Sequence, residues 1–241
     1  MKTRKVPEQI PPNPVGRPSG EQGVEARGRL IHVAAERFAA QGFDGTSLKQ
    51  VAEGAGVTPA MVAYYFKDKA GLLEAVVIDG LERLFGALEG AVAASQTEPL
   101  VPVLVRSYLR VISADPWIPQ LLMREVISRD TPLRTLFVER FARRALALVP
   151  ARVMEEMQAG RLNADLDPRF TLLSLIGICV FPFLAHPVLG PLFGYELDSA
   201  FGRSYGDHAV ALLMRGMGAG GNSPDGPAGE MPEEAASGGR E

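Results

Sequence analysis

At 241 residues the chain can bury a sizeable core, in one large domain or two smaller ones. Its 46% hydrophobic and 22% charged residues match an ordinary soluble globular protein, and a formal charge of −3 excludes a chain that coats nucleic acid indiscriminately. The charge is uneven, however: residues 1–70 hold ten Lys/Arg against seven Asp/Glu, and the remainder fifteen against twenty-one, so a polyanion would be met by the N-terminal part.

Cys179 is the sole cysteine, which excludes an internal disulfide and suits a reducing compartment. Lys2, Arg4 and Lys5 are followed by Pro7, Pro11, Pro12 and Pro14, where a signal peptide needs an apolar run. The most apolar stretch, Leu172 to Leu184, is short for a bilayer and is interrupted by Pro182. The expectation is a cytoplasmic protein with no membrane partner.

In chain order, residues 1–22 are rich in Pro, Gly and charge and predict a flexible basic arm. A helix is predicted over Val24–Gln41, with Leu30, Ile31, Ala34, Ala35 and Phe38 on one face and Gly42 ending it. A short helix capped by Thr46 follows over Ser47–Ala55, and Gly56 permits a sharp turn. The third helix starts with Thr58 as N-cap and Pro59 in the first turn, and ends near Phe66. Longer helices are predicted over Lys69–Ala94, Val101–Ala114, Trp117–Ser128 and Pro132–Gly160, the last kinked or split at Pro150. Two more cover Pro168–Phe183 and Leu197–Arg215, and the Gly/Ala/Pro-rich acidic segment 216–241 predicts a disordered tail. No period-two alternation marks a strand, so the fold class is all-α.

The informative segment runs from Thr46 to Phe66. Leu48, Val51, Ala52 and Ala55 make the inner side of its first helix, Val57 fills the turn, and Val62, Tyr65 and Phe66 anchor the second. Small Ala52 permits close approach, and the first long helix must close a three-helix core. That leaves the N-terminal end of the third helix outward, with small side chains and free N–H groups, able to enter a major groove. The segment is therefore a helix-turn-helix by spacing.

Its elements closely resemble the tetracycline-repressor (TetR) family: Ala35–Phe38, Gly42-Phe43, Gly45-Thr46-Ser47, Val51-Ala52, Ala55-Gly56-Val57-Thr58, then Tyr65-Phe66, Lys69 and Leu72-Leu73. The resemblance is strong from Ala26 to Val77, and beyond that only the all-helical pattern fits. It implies a DNA-binding domain over residues 23–68 with the motif at about 46–66, and an effector-binding and dimerisation domain over 69–215. It also implies that Thr46 and Ser47 contact a phosphate, that Tyr65 and Lys69 grip the backbone, and that Thr58, Pro59, Ala60, Met61 and Tyr64 face base edges and phosphates. Hydroxyls, a phenol and a lysine suit those roles chemically. Ala63 stands where many members carry an aromatic residue, which leaves the base preference open. Gly16-Arg17-Pro18 resembles basic extensions that reach a minor groove; an arm that makes no contact is equally open.

The same resemblance implies a homodimer on a double-stranded, near-palindromic operator and a small-molecule effector, with repression as the expected mode. Trp117, Met123, Phe137, Phe141, Met154, Ile178 and Phe183 are the candidate apolar lining of an effector pocket, with Arg124 or Glu125 as polar anchors; plain core is the competing reading for each. Leu172, Leu175, Ile176, Cys179, Ala209, Leu212 and Leu213, on helices greasy on more than one face, are the candidate dimer interface. An activator driven by a protein partner shares the DNA site but needs no cavity.

Other signals are weak. Gly202-Arg-Ser-Tyr-Gly206 matches a G-x-S-x-G nucleophile elbow with His208 nearby, but that motif needs a strand and a sheet, so no catalytic role is expected of Ser204. His32, His186 and His208 lack metal-ligand spacing, and neither a metal nor a cofactor is expected.

Overall fold

A computed structural model describes residues 20–94 and 98–218. The arm with Arg17, and the tail beyond Gly218, lie outside the described residues. Those described form ten α-helices with no strand among them, apart from a single bridge between Leu162 and Gly218. They divide into two compact units at Asp79/Gly80.

The first unit holds α1 (Gly20–Gly45), α2 (Leu48–Gly54), α3 (Pro59–Phe66) and the first turns of α4 (Lys69–Ala94). The predicted face of α1 is buried throughout and packs on α2, and Val51, Ala52, Val62 and Phe66 are buried with it. Gly42 breaks α1 with φ 76°, and Gly56 makes the α2–α3 turn with φ 65°, two left-handed positions that cost a glycine little. Leu72, Leu73, Val76 and Val77 are buried too, so these α4 turns belong to this unit. Gly71 is obligatory for a different reason: a Cβ there would stand 2.2 Å from the Phe66 carbonyl oxygen.

The second unit contains the rest of α4 and α5 (Leu100–Ala114), α6 (Trp117–Leu121), α7 (Pro132–Phe137), α8 (Arg143–Gln158), α9 (Pro168–Phe193) and α10 (Ser199–Met217). π-Helical segments follow α6 at Leu122–Ile127 and α7 at Val138–Ala142. The irregularity expected at Pro150 thus falls earlier, while Pro150 stays inside α8, flanked by buried Val149 and Val153. The predicted end of α9 at Phe183 is also corrected, because the helix continues ten residues further. Pro182 removes the N–H that would bond the Ile178 carbonyl. The Tyr205 hydroxyl replaces it, donating to that oxygen at 2.8 Å.

α10 packs along α5, and its Gly202 and Gly206 face Ser113 and Leu109. The G-x-S-x-G pattern is therefore a close helix crossing, with Ser204 on the exposed face of α10. Among the described residues no cluster of three or more His, Cys, Asp or Glu could hold a metal.

Candidate functional site

The helix-turn-helix is closed on one side and open on the other. Val62 and Phe66 hold α3 to its support, while Thr58, Pro59, Ala60, Ala63, Tyr64 and Lys67 form an exposed strip at helical spacing. Thr58 caps α3 by position alone, because its hydroxyl makes no cap hydrogen bond. Met61 and Tyr65 are half-buried beside the strip, and the Tyr64 and Tyr65 rings meet edge-on at 5.0 Å. Arg29 on α1 donates through Nε to the Ala55 carbonyl at 3.2 Å, fixing the end of α2.

The start of α2 differs from expectation. Ser47, not Thr46, is the N-cap, in a reciprocal box with Gln50. The Gln50 N–H donates to Ser47 Oγ at 3.2 Å, and the Ser47 N–H donates to Gln50 Oε1 at 3.0 Å. Thr46 is 2% exposed and its hydroxyl donates to the Gly42 carbonyl at 2.9 Å. Its side chain is spent on the turn, so of the pair only Ser47 presents a hydroxyl outward.

Lys69 is likewise engaged within the protein. Its Nζ donates to the carbonyls of Phe43 at 2.9 Å and Thr46 at 3.0 Å, and lies 4.4 Å from the Phe43 ring centroid. It latches α4 to the loop between α1 and α2. An ammonium has three protons, so one remains for a phosphate.

The second unit holds a partly open cavity of about 570 Å³ among α4, α5, α8, α9 and the two π-helical segments. Its walls are almost wholly hydrocarbon, with Leu84, Phe85, Leu104, Val149 and Leu175 among them. Arg169 at the rim is bound by Asp167, Nε to Oδ1 at 3.2 Å and Nη2 to Oδ2 at 2.7 Å. That guanidinium holds the Asp167 carboxyl down at about 2. Behind the wall, Arg144 bonds both Glu82 and Glu89 and so ties α8 to α4; its hydrogen bond is the main reason the Glu82 carboxyl is held below the usual range.

Residues 30–76 match the family model described as bacterial regulatory proteins, tetR family. That stretch, within the first unit, is a TetR-family DNA-binding domain. Among curated relatives, YttP of Bacillus subtilis, a probable HTH-type transcriptional regulator by name, is 32% identical over 90 residues, covering 37% of this chain and 44% of its own. The HTH-type transcriptional repressor KstR2 of Mycolicibacterium smegmatis is 30% identical over 89 residues, 36% of this chain and 43% of that one. The match thus spans less than half the length of these curated relatives. The solved ketosteroid transcriptional regulator KstR2 of Mycobacterium tuberculosis shares the fold at TM-score 0.66 and 18% identity, over 80% of this chain and 94% of that one. PfmR of Thermus thermophilus does so at 0.61 and 16%, over 76% and 95%.

The second unit departs from several sequence expectations. Of the candidate pocket residues, Met123 and Phe137 line the cavity, whereas Trp117, Arg124, Phe141, Ile178 and Phe183 do not. Trp117 packs against Gly80, where a Cβ would come within 2.6 Å of its ring, and donates through Nε1 to Asp115. Phe141 and Phe183 are fully buried, the first tilted against Phe85 and the second edge-on to Phe201, while Ile178 packs against the core that holds Phe183 and Met154 is exposed. Glu125 is buried and paired with Arg124 and Arg129. The missed lining lies chiefly on α9, α4 and α8, where an apolar helical stripe carries no mark separating core from cavity wall.

The dimer candidates need a similar correction. Leu172, Leu175, Cys179 and Ala209 are buried within their own unit and have nothing left to offer a partner. Burial pushes the Cys179 thiol up to about 12. Ile176 and Leu212 are exposed and Leu213 is half-buried. The outward face of α9 instead carries Phe181, Val188 and Leu192, all more than 60% exposed, and Phe170 and Leu173, equally exposed, stand at the edge of the cavity. This helix is also long and apolar enough to cross a membrane, with a mean hydropathy of 2.1 and 28% of that window buried, contrary to the estimate from sequence length. Its inner side, however, is packed on α5, α6 and α8.

Proposed function

We propose that the protein is a cytoplasmic, homodimeric transcription regulator, a repressor, that binds a near-palindromic operator and releases it when a small, mainly apolar effector enters the cavity of the second unit. The observation that carries this reading is the exposed strip of α3 on a closed three-helix support. Pro59 and Ala60 keep the helix N-terminus slim enough for a major groove about 12 Å wide, and its free N–H groups suit phosphate oxygens. Ser47, Thr58, Tyr64, Tyr65 and the remaining proton of Lys69 are the backbone and base contacts, with exposed Lys67 added to those read from sequence.

The exposed α9 face supports the dimer, since Phe181, Val188 and Leu192 on one face gain by packing against those of a second copy. Two copies then offer two reading helices to half-sites about one helical turn apart. α4 supports the coupling: it begins at Lys69, latched to the helix-turn-helix, and carries Leu81, Leu84, Phe85 and Leu88 into the cavity wall. An effector that favours one position of α4 changes operator affinity by its preference between the two positions. A repressor among the relatives supports the sign of regulation.

Selection from a random duplex pool with the full chain tests the central claim. The expected product is an inverted repeat whose half-site centres lie about 10 base pairs apart or a multiple of that. A pool that stays random after several rounds with folded protein overturns it.

A further inference from the structure

Only three of the side chains lining the cavity carry a polar group: Tyr108, Arg169 and Cys179. Arg169 is largely exposed at the rim and already holds Asp167 through two hydrogen bonds. The Cys179 thiol is buried and neutral, a weak donor at best. Tyr108, on α5, is different. Its hydroxyl bonds no described residue, and it is not among the polar atoms sealed from solvent without a partner, Ser113 Oγ and Arg152 Nε. A half-buried phenol that lines an apolar chamber and keeps its hydrogen bond unspent is a polar handle for whatever enters.

The surroundings restrict what that handle can take. A carboxylate or ammonium inside would lie among hydrocarbon with no counter-charge, because the one cation at the rim is already neutralised by Asp167. A ligand with several hydroxyls would find one partner and leave the rest unpaired. A pure hydrocarbon fits the walls but strips water from Tyr108 without replacing it.

We infer that the effector is an uncharged, mainly hydrocarbon molecule bearing a single hydrogen-bonding oxygen, a carbonyl or a hydroxyl, held by the hydroxyl of Tyr108. This rests on the cavity being the effector site, and it names the ligand class. Tyr108 is then the specificity-determining residue of that site.

The full chain titrated with the neutral fluorophore N-phenyl-1-naphthylamine reads out the cavity, and competition with 2-dodecanone, dodecane and dodecanoate reads out the chemistry. The ketone is expected to displace the fluorophore roughly tenfold more tightly than either of the others. Tyr108→Phe keeps the ring, so it should bind the fluorophore as the wild type does while the ketone loses its tenfold advantage. If the fluorophore does not bind the wild type, the effector-site reading falls and this inference with it. If it binds but the three competitors rank equally, or dodecanoate wins, the cavity reading stands and the assignment to Tyr108 is overturned. Should Tyr108→Phe fail to fold, the wild-type ranking decides alone.

Discussion

Two of the three protons on the Lys69 ammonium are already taken, by the carbonyls of Phe43 and Thr46. Charge-assisted bonds of this kind stabilise by about 1.5–3 kcal/mol each when well formed, less with partial exposure. Lys69→Met is therefore expected to lower unfolding stability by about 1–3 kcal/mol in urea denaturation, besides weakening operator binding. A residue that only gripped phosphate would leave the urea midpoint unmoved and flatten the salt dependence by about one counterion. An unmoved midpoint would return Lys69 to that simpler role. Cys179 offers a second test at this scale. With its thiol at about 12 in the fold, the unfolded chain releases this proton first as pH rises past the ordinary thiol range. Stability from this group is complete below about pH 8.5 and declines from there to about pH 12. Cys179→Ala should remove that component of the alkaline loss, and a thiol reagent should label the wild type only in denaturant.

The helices show how local sequence rules yield to packing. Pro182 inside a helix strands the Ile178 carbonyl, and α9 carries it because Tyr205, 27 residues on from Ile178, bonds that oxygen. Tyr205→Phe leaves that carbonyl unpaired and is expected to cost about 1–3 kcal/mol, measured by thermal or urea unfolding. The α5–α10 crossing sets a paired test. A Cβ at Gly202 would stand 2.3 Å from Ser113 Oγ, whereas one at Gly216 meets nothing within 4 Å. Gly202→Ala should destabilise by about 1–3 kcal/mol through overpacking. Gly216→Ala should be neutral or slightly stabilising, since it gains helix propensity without a clash.

For the whole molecule the open quantity is what covers α9. Phe181→Glu and Val188→Glu place charge on its exposed face without touching the cavity or the core beneath. If a second copy covers that face, each variant sediments as a monomer and loses most operator affinity while its circular dichroism stays unchanged. If the variants remain dimeric, the interface lies elsewhere. Recovery of the wild type in the membrane fraction, lost in the variants, would instead favour a bilayer against the same helix.

The sequence alone determined the helix-turn-helix, since its signals are local: Gly42 and Gly56 at left-handed turns, Pro59 in a first turn, and apolar positions at helical spacing that all proved buried from Leu30 to Phe38. It also determined that the chain is all-α. What only the tertiary structure decided is which apolar residues face core, cavity or solvent. Leu172, Leu173 and Leu175 are alike in chemistry, yet Leu173 alone is exposed. That distinction depends on where α5, α6 and α8 lie against α9, and hydrophobicity carries no record of it. The same holds for polar groups. Lys69 reads as a phosphate contact until the carbonyls of Phe43 and Thr46 come within reach, because a hydrogen bond across 23 or 26 residues leaves no pattern in the chain.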